Sequence, residues 1–320
     1  MATAAQVTVR WLAEGHMRSG ALSDLDEARA SGLVWVDVQG VEERVLQDLA
    51  TRFNLHPLAI EDTLHFPQRP KIDEYESTWF VVWVTPVFED HTGLRMAELD
   101  AFLGSGFVVT VHDEPLKAVD QTVAEGAGVF QRGVAGLFHE IVDRLVDSSM
   151  PLVDDIADRL EDIEDIMLGN PRQEDIHRLY LLRRQLVVLH RVIGPERDVI
   201  RSLVRARDIV DDEAYRYLQD VGDHLARVED SIETAREVAA AIMDIYLSSV
   251  NNRMNAIMKQ LTVVATIFMP LTLISGIYGM NVVLGMWPPV REAWSFAAVV
   301  GSMLAIAITM AAYFRRKNWW

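Results

Sequence analysis

The sequence predicts an α+β membrane protein: an N-terminal α/β domain, a long helical stalk and two C-terminal transmembrane helices. Three observations support this fold class. Short apolar runs separated by turns fill roughly the first 130 residues, as in strands. From about residue 135 the apolar residues recur at helical spacing. After Lys259 the chain contains two long segments without charge, 260–290 and 293–314, and about 20 apolar residues suffice for a helix to cross a bilayer.

The composition excludes several classes of protein. The 320 residues include no cysteine, so disulfide scaffolds, thiolate zinc sites and cysteine nucleophiles are ruled out. Lys and Arg number 30 against 47 Asp and Glu, a net charge of −17. This acidity argues against a nucleic-acid partner, because phosphate binding requires clustered positive charge. The histidines are scattered, and neither a phosphate-binding glycine loop nor a nucleophile motif is present, so we do not expect an enzyme.

The two uncharged segments predict transmembrane helices at about 261–278 and 294–314, with two buried core helices as the alternative. Arg253 and Lys259 precede the first span, and a basic tail, 315–320, follows the second. Positive flanks mark the cytoplasmic side. We therefore expect both termini in the cytoplasm of a multi-pass protein of the cell (inner) membrane. The predicted regions are a cytoplasmic α/β domain 1–134, an acidic helical region 135–212, a long helix 213–278 that includes the first span, an external loop 279–293, a second span 294–314 and the tail.

Within the first 212 residues the pattern predicts individual strands and helices. Residues 99–103 and 107–111 flank Gly104-Ser105-Gly106 and predict a hairpin. We expect further strands at 32–38 and 79–85, a short helix at 57–64, and two antiparallel helices at 137–167 and 173–192, the second ended by Gly194-Pro195. After Pro195 the next proline is Pro270, so the helix from about 213 to 278 is predicted to be continuous and roughly 100 Å long.

One face of the first span is unusual, because small, polar and methionine residues recur on it every three or four positions. This stripe consists of Asn255, Met258, Leu261, Ala265, Met269, Thr272, Gly276 and Gly279. One helical hairpin cannot enclose a pore, but a stripe of this kind suits a ring of identical helices around a narrow axis. Small residues also favour ordinary helix packing in membranes, so the pattern leaves both interpretations open.

The segment Tyr278-Gly279-Met280-Asn281, followed by a short loop, a second span and a basic tail, resembles the CorA family of divalent-cation channels. The segments 244–250 and 265–272 are similar to that family's pore helix. His56-Pro-Leu-Ala-Ile-Glu-Asp62 and Gln68-Arg-Pro-Lys71 are similar to its cytoplasmic domain. The resemblance covers nearly the whole chain and is weakest before residue 30.

The resemblance implies a funnel-shaped homopentamer in the lipid bilayer that passes Mg²⁺, and also Co²⁺ or Ni²⁺, down its electrochemical gradient. Intracellular Mg²⁺ bound between subunits would close it. The implied selectivity filter is Gly279, Met280 and Asn281. The implied pore-lining residues are Asn255, Met258, Leu261, Met269 and Thr272. The implied regulatory Mg²⁺ ligands are Asp62 with Asp244 at one site and Glu61, Asp143 and Asp220 at a second; a solvated acidic face is the alternative for Asp143 and Asp220.

The loop after Asn281 departs from the family pattern. Met286-Trp287-Pro288-Pro289 replaces the usual Met-Pro-Glu-Leu, and Glu292 is the only acid in the loop. This departure affects the expected ion preference and the rate of cation capture, but not the expected fold. The alternative functions are a zinc transporter of the same superfamily and a non-conducting membrane Mg²⁺ sensor, which would share every cytoplasmic feature. Met280 favours the magnesium branch over the zinc branch, whose outer motif tends to carry Val or Ile at that position.

Overall fold

The structure is a computed structural model that describes residues 5–76, 78–89, 93–169, 171–280, 288, 293–317 and 319. The chain divides into two compact units, Met1–Ile242 and Met243–Trp320. The first unit contains a mixed sheet and most of the helices. The second unit contains the apolar helices.

A seven-stranded sheet forms the centre of the first unit, with strand order β2-β1-β3-β7-β6-β5-β4. Only β3 and β7 pair in parallel, and the other neighbours are antiparallel. Residues 34–38 of β3 are buried, as expected of a central strand covered on both faces. The strands are β1 (Gln6–Ala13), β2 (His16–Gly20), β3 (Val34–Gln39), β4 (Lys71–Tyr75), β5 (Thr78–Glu89), β6 (Gly93–Gly104) and β7 (Phe107–His112).

The predicted hairpin at Gly104-Ser105-Gly106 is confirmed. Gly104 pairs with Phe107 across a two-residue turn, and Gly106 has φ = +81°, which a side chain would disfavour. Strands β5 and β6 are both longer than the sequence predicts. β6 begins at Gly93, and its partner β5 runs to Glu89.

The helices of the first unit cover the sheet and then continue beyond it. They are α1 (Leu25–Ala30), α2 (Glu43–Phe53), α3 (Pro57–Leu64), α4 (Lys117–Ala124), α5 (Ala127–Phe130), α6 (Gly133–Asp147), α7 (Met150–Leu168), α8 (Gln173–Leu203) and the first part of α9 (Asp212–Tyr278). The short helix predicted at 57–64 is confirmed as α3. His56 caps it, because its Nδ1 accepts a hydrogen bond from the backbone N–H of Leu58 at 3.2 Å.

The single helix predicted at 137–167 is wrong, because the structure has two helices there, α6 and α7. The last turn of α6 closes with the N–H of Ser148 donating to the carbonyl of Arg144 at 3.1 Å. Pro151 lies in the first turn of α7. Proline lacks an N–H and its ring clashes with the carbonyl four residues earlier, so it ends one helix here and begins the next.

The helix end predicted at Gly194-Pro195 is also wrong, because α8 runs through both residues to Leu203. A proline inside a helix costs about 3 kcal/mol. Beyond it, Val199, Ile200 and Leu203 are fully buried, and each such side chain contributes about 1.5–3 kcal/mol. Burial of the last two turns therefore outweighs the local penalty.

Helix α9 has 67 residues and spans the region where the sequence predicts a continuous helix. It contains one apolar segment long enough to cross a membrane, with mean hydropathy 1.9, and Trp294–Arg316 of α10 (Ala293–Arg316) contains another, with mean hydropathy 2.0. Only 6% of each segment is buried, so neither is a buried core helix. The predicted fold class, an α/β region, a long helix and two C-terminal apolar helices, is confirmed.

Candidate ion pathway and cation sites

The predicted stripe lies on an outward face of α9. Met258, Leu261 and Met269 are 54%, 61% and 72% exposed. At 3.6 residues per turn, the opposite side of the helix carries Val263, which is 4% exposed, and Ile267, which is half-buried. The exposed surface also extends beyond the stripe to neighbouring apolar residues such as Val264, Phe268 and Leu273. From Val263 onward the second unit therefore covers the side of α9 opposite the stripe and leaves the stripe exposed, whereas residues 251–262 are exposed on every side.

A shallow groove follows the outer half of this stripe, because several of its side chains are small. It is lined by Ala265, Phe268, Met269, Thr272, Leu273, Gly276, Ile277 and Met280. The Thr272 hydroxyl donates to the carbonyl of Phe268 at 2.8 Å. Because its proton is used within the helix, the exposed hydroxyl oxygen offers lone pairs as acceptors. Such an acceptor suits the bound water of a hydrated cation.

The helix ends close to the predicted filter. The N–H of Gly279 donates to the carbonyl of Ser275 at 2.9 Å, and the N–H of Met280 to that of Ile277 at 3.3 Å. A Cβ on Gly279 would lie only 3.1 Å from the Ser275 carbonyl oxygen, so a larger residue would crowd this last turn. Asn281, the third residue of the predicted filter, and most of the loop after it lie outside the described residues.

The predicted regulatory residue Asp62 is already paired within the chain. The ammonium of Lys71, at the start of β4, donates to Asp62 Oδ2 at 2.5 Å and lies 2.9 Å from a carboxylate oxygen of Asp73. Burial opposes the charge of Lys71, but these two carboxylates hold the pKa of its ammonium above the usual value. Glu61, the neighbouring residue on α3, is exposed. Asp244 is exposed on α9 in the second unit, and its pairing with Asp62 across subunits stays a prediction.

Two carboxyl groups that the sequence analysis missed, Glu98 and Asp100, lie buried on β6. The backbone N–H of Gln68 donates to Glu98 Oε2 at 2.6 Å. Burial raises the pKa of Glu98 to about 7. Burial, reinforced by the charge of Glu98, raises the pKa of Asp100 well above its ordinary value. Asp62 adds to the rise at Glu98, so this pair of carboxyl groups is electrostatically linked to the predicted regulatory residue.

The other predicted regulatory acids, Asp143 on α6 and Asp220 on α9, are brought together around His224. The Nδ1 atom of His224 lies 3.7 Å from Asp143 Oδ1 and 3.6 Å from Asp147 Oδ1, and its Nε2 lies 3.5 Å from Asp220 Oδ2. Burial raises the pKa of Asp143, and the neighbouring Asp147 raises it further. Asp147 and His224 were not predicted. The signal available in the sequence was the four-residue spacing of Asp143 from Asp147 and of Asp220 from His224.

Fold and sites together define an integral membrane protein. Its acidic α/β unit is followed by the long helix α9, whose last part is apolar, and by a second apolar helix, α10. The chain belongs to the CorA-like Mg²⁺ transporter family, whose sequence profile matches residues 30–316. The cobalt/magnesium transport protein CorA of Thermotoga maritima is 34% identical over 292 residues, which cover 89% of this chain and 83% of that protein. The chain is therefore a divalent-cation transporter, and the prediction that it is not an enzyme agrees with this family.

Two further similarities bear on fold and ion. The complete structure of the CorA magnesium transporter from Methanocaldococcus jannaschii superposes with a TM-score of 0.87 at 26% identity and covers 100% of both chains. The zinc transport protein ZntB of Yersinia enterocolitica is 28% identical over 70% of this chain and 68% of that protein. The first similarity extends over both the α/β unit and the apolar helices. The second extends over about two thirds of a protein named for zinc transport.

Proposed function

We propose that this chain forms a homopentameric channel that admits Mg²⁺, and also Co²⁺ or Ni²⁺, into the cell down the electrochemical gradient and closes when intracellular Mg²⁺ binds between subunits. Residues 1–259 and the tail lie in the cytoplasm of this arrangement, and the loop 279–293 lies outside the cell (inner) membrane. The cobalt/magnesium and magnesium transporters to which the chain is similar support the choice of ions. The exposed stripe of α9 is the observation that carries the proposal.

The composition of the stripe argues that it faces other copies of the chain rather than lipid. Asn255 and Thr272 place polar groups on it, and Gly276 leaves a gap in it. Lipid tails satisfy no hydrogen bonds, so polar groups in a span face the interior of a bundle or a water-filled cavity. Among the described residues, the buried position of this part of α9, Val263, lies on the side opposite the stripe. A ring of α9 helices would place Asn255, Thr272 and the thioethers of Met258 and Met269 around one axis, with Leu261 as an apolar constriction.

Asn281, with Gly279 and Met280, forms the selectivity filter of this channel. Mg²⁺ releases its water reluctantly, so a filter that grips the hydrated ion avoids the cost of dehydration. A ring of amide oxygens accepts hydrogen bonds from bound water without trapping the ion as a ring of carboxylates would. A Cβ at position 279 would lie 3.1 Å from the Ser275 carbonyl oxygen, so glycine suits the close last turn before Asn281.

Asp62 and Asp244 are the sensor of this channel, with Glu61, Asp143 and Asp220 as further acidic ligands. Carboxylates that face each other across subunits repel until a dication neutralises them. Bound Mg²⁺ would therefore favour the closed ring, and this difference in affinity between the two states is what closes the channel. The Lys71 ammonium on Asp62 competes with the ion for the same carboxylate.

The test is Mg²⁺ flux into proteoliposomes loaded with a Mg²⁺ indicator, at low and at millimolar internal Mg²⁺. We expect flux of the wild type at low internal Mg²⁺ and closure at millimolar internal Mg²⁺. Asn281→Ala should lose flux by at least about tenfold, because a hydrogen bond to a charged group contributes about 1.5–3 kcal/mol. Asn252→Ala, an exposed asparagine of α9 outside the stripe, is the matched control and should keep wild-type flux. Full flux in Asn281→Ala would refute the filter.

Zinc transport is the second candidate, and the similarity to ZntB favours it. The same proteoliposomes separate the two, because Zn²⁺ entry under a pH gradient without Mg²⁺ entry would assign the chain to the zinc branch. Flux of neither ion would favour a non-conducting Mg²⁺ sensor.

A further inference from the structure

An open cavity with a positive lining, which we call the arginine cavity, lies between the end of α8 and the first part of α9, within the first unit. Its volume is about 700 Å³, inside the range of about 300–1,000 Å³ that is usual for small-molecule sites. The charged residues of its described lining are four arginines, Arg197, Arg201, Arg205 and Arg207, and one acid, Asp223. Because the whole chain has a net charge of −17, this concentration of positive charge on one concave surface indicates an anionic ligand.

We propose that the arginine cavity binds a nucleoside triphosphate. Arg197, Arg201 and Arg205 hold the phosphates, and Tyr215 together with Arg207 holds the base. The inference does not rest on the proposed channel, because it requires neither a conducted ion nor a second subunit.

The three phosphate-binding arginines form a row. Arg197, Arg201 and Arg205 follow one another at four-residue spacing, which brings them to one side of a helix. The backbone N–H of Val204 donates to the carbonyl of Ile200 at 3.0 Å, so helical geometry continues up to the third arginine. At 1.5 Å per residue the row extends over about 12 Å. Guanidinium groups bind phosphate oxygens through paired N–H donors, so a row of this length suits a chain of phosphates better than a single phosphate.

The exposed arginines of the cavity are available to a ligand. Arg201 lies 3.5 Å from a carboxylate oxygen of Asp198, and Arg207 lies 3.4 Å from one of Asp212. These four side chains are between 59% and 97% exposed, and ion pairs between exposed side chains contribute little to stability. In the part of the chain that the structure describes, the guanidinium of Arg205 forms neither a hydrogen bond nor an ion pair. A polyanion can therefore bind these groups without breaking strong contacts.

Neighbouring acids are held in contacts of their own. Glu229 of α9 accepts a hydrogen bond from Arg197 and fixes that guanidinium in place. Asp208 Oδ2 accepts from the indole N–H of Trp79 at 2.9 Å, and Asp211 Oδ1 accepts from a backbone N–H in the first turn of α9 at 2.7 Å. None of these three carboxylates belongs to the described lining of the cavity, which keeps its excess of positive charge.

The end of the cavity near the start of α9 provides a surface for a flat ring. Arg207 Cζ lies 5.1 Å from the centroid of the Tyr215 ring, in a cation–π contact. Ile200 and Val204 add apolar groups to the same lining. Nucleobases stack on aromatic rings and on guanidinium planes. This surface is what selects a nucleotide over an inorganic polyphosphate.

Gly222 is a second, independent observation that points to a ligand. It lies inside α9 and lines the cavity, and a glycine inside a helix is destabilising relative to alanine. A Cβ at this position would lie 3.6 Å from Ile200 Cγ2, which is an ordinary contact. The packing of the chain therefore does not require glycine here. Its absent side chain leaves the space between the two helices open.

The test is the binding of radiolabelled ATP to the full-length chain in detergent, measured by equilibrium dialysis at a fixed free Mg²⁺ concentration because ATP chelates this ion. We expect about one ATP per chain. Inorganic tripolyphosphate should compete at least about tenfold more weakly, because it lacks a base that can stack, and adenosine should not compete at millimolar concentration. The absence of ATP binding at millimolar concentration, or tripolyphosphate competing as well as ATP, would overturn the proposal.

Arg201→Gln and Arg205→Gln should each weaken ATP binding by at least about tenfold, because each removes a hydrogen bond between charged groups. Tyr215→Leu should weaken ATP binding by about tenfold and leave the binding of tripolyphosphate unchanged. Arg184→Gln, which changes an exposed arginine of α8 outside the cavity, is the matched control and should bind ATP as the wild type does. Equal weakening in Arg184→Gln and Arg205→Gln would show non-specific attraction and contradict the site.

Gly222→Leu fills the cavity and keeps all four arginines, so it should lose ATP binding with no change in charge. ATP should raise the unfolding temperature of the wild type, because a ligand of the folded state alone stabilises it, but not that of Gly222→Leu. Arg205→Gln gives the same comparison at an exposed position, where the substitution leaves the packing intact. Wild-type ATP binding in both variants would place the nucleotide elsewhere on the chain and overturn the arginine cavity as its site.

Discussion

Lys71 is the residue whose contacts most affect the predicted sensor. Its ammonium lies between Asp62 and Asp73 and holds a positive charge where the proposed regulatory Mg²⁺ must bind. A dication at Asp62 therefore displaces a cation that the protein already supplies. This competition raises the Mg²⁺ concentration needed to occupy the site.

Lys71→Gln should lower the internal Mg²⁺ concentration that half-closes the channel by about 1.4- to fivefold. An exposed ion pair contributes about 0.2–1 kcal/mol. Loss of one such pair at Asp62 changes the Mg²⁺ affinity by the corresponding factor. The measurement is flux into proteoliposomes across a series of internal Mg²⁺ concentrations. Lys117→Gln, an exposed lysine of α4, should leave the midpoint unchanged. A midpoint shifted upward by Lys71→Gln would contradict the competition.

The Glu98 and Asp100 pair makes the stability of the first unit depend on pH. Burial raises the pKa of Glu98 from its ordinary 4.5 to about 7, so between these values the folded state binds a proton that the unfolded state releases. The free energy of unfolding therefore falls as the pH rises through this window.

Glu98→Gln should narrow the difference in unfolding temperature between pH 5 and pH 8 by about half, since Asp100 still contributes to the slope. The neutral amide removes the cost of a buried charge above pH 7, so the variant gains stability mainly at pH 8. Thermal unfolding at the two pH values measures this. Glu161→Gln, an exposed acid of α7, should reproduce the wild-type difference, and an equal difference in Glu98→Gln would rule the pair out as its source.

At the scale of elements, α9 shows how one helix serves two environments. Its first part packs in the first unit through buried residues at helical spacing, such as Leu218, Leu225 and Ile232. Its last part turns Val263 inward and the stripe outward. The buried face changes from a protein core to one side of an apolar span, and the residues between the two parts, 251–262, are exposed on every side.

Thr272→Val should reduce Mg²⁺ flux several-fold if the stripe lines the pathway, because it removes a hydroxyl acceptor without changing the volume of the side chain much. The control is Thr266→Val, because Thr266 is half-buried and does not belong to the stripe. This variant should keep wild-type flux. The comparison is made in proteoliposomes at low internal Mg²⁺. Equal flux in both variants would favour the interpretation of the stripe as a packing face alone.

For the whole molecule, the net charge of the part before the spans affects both cation attraction and subunit assembly. Residues 1–259 contain 26 Lys and Arg and 46 Asp and Glu, a net charge of −20. An acidic body of this kind raises the local concentration of cations and repels its own copies. Divalent cations bound between subunits would relieve that repulsion, which links ion concentration to assembly.

Native mass spectrometry of the detergent-solubilised chain should give a particle of about five times the 36.1 kDa chain mass. We expect Mg²⁺ to protect this particle from limited proteolysis, compared with EDTA. A monomer, or a ring of a different number of copies, would contradict the proposed stoichiometry.

Asp62→Asn combined with Asp244→Asn should leave the channel open at millimolar internal Mg²⁺ and abolish the Mg²⁺-dependent protection, because the neutral amides no longer require a dication between subunits. Flux and proteolysis measure the two effects on the same preparation. Asp154→Asn combined with Asp158→Asn changes two exposed acids of α7 and controls for the lost charge. Normal closure of the Asp62/Asp244 double variant would exclude the pair as the sensor.

Patterns local to the chain determined the fold class, the two spans, the long helix and the stripe. The length of an apolar segment and its helical period depend only on residues that are close in sequence. Both can therefore be recognised without knowing which residues pack against the segment. The motif ending in Asn281 identified the family for the same reason. Local signals failed at Pro151 and Pro195, where the same residue type ended one helix and was accommodated within another.

The tertiary structure alone decided those two cases and the composition of the clusters. Pro195 stays helical because distant side chains bury the turns after it. Asp143 lies beside His224, 81 positions away, and Glu98 lies beside the N–H of Gln68. Contacts between residues so far apart follow from how helices and strands pack, and burial in that packing, rather than residue type, shifts the pKa values of these groups.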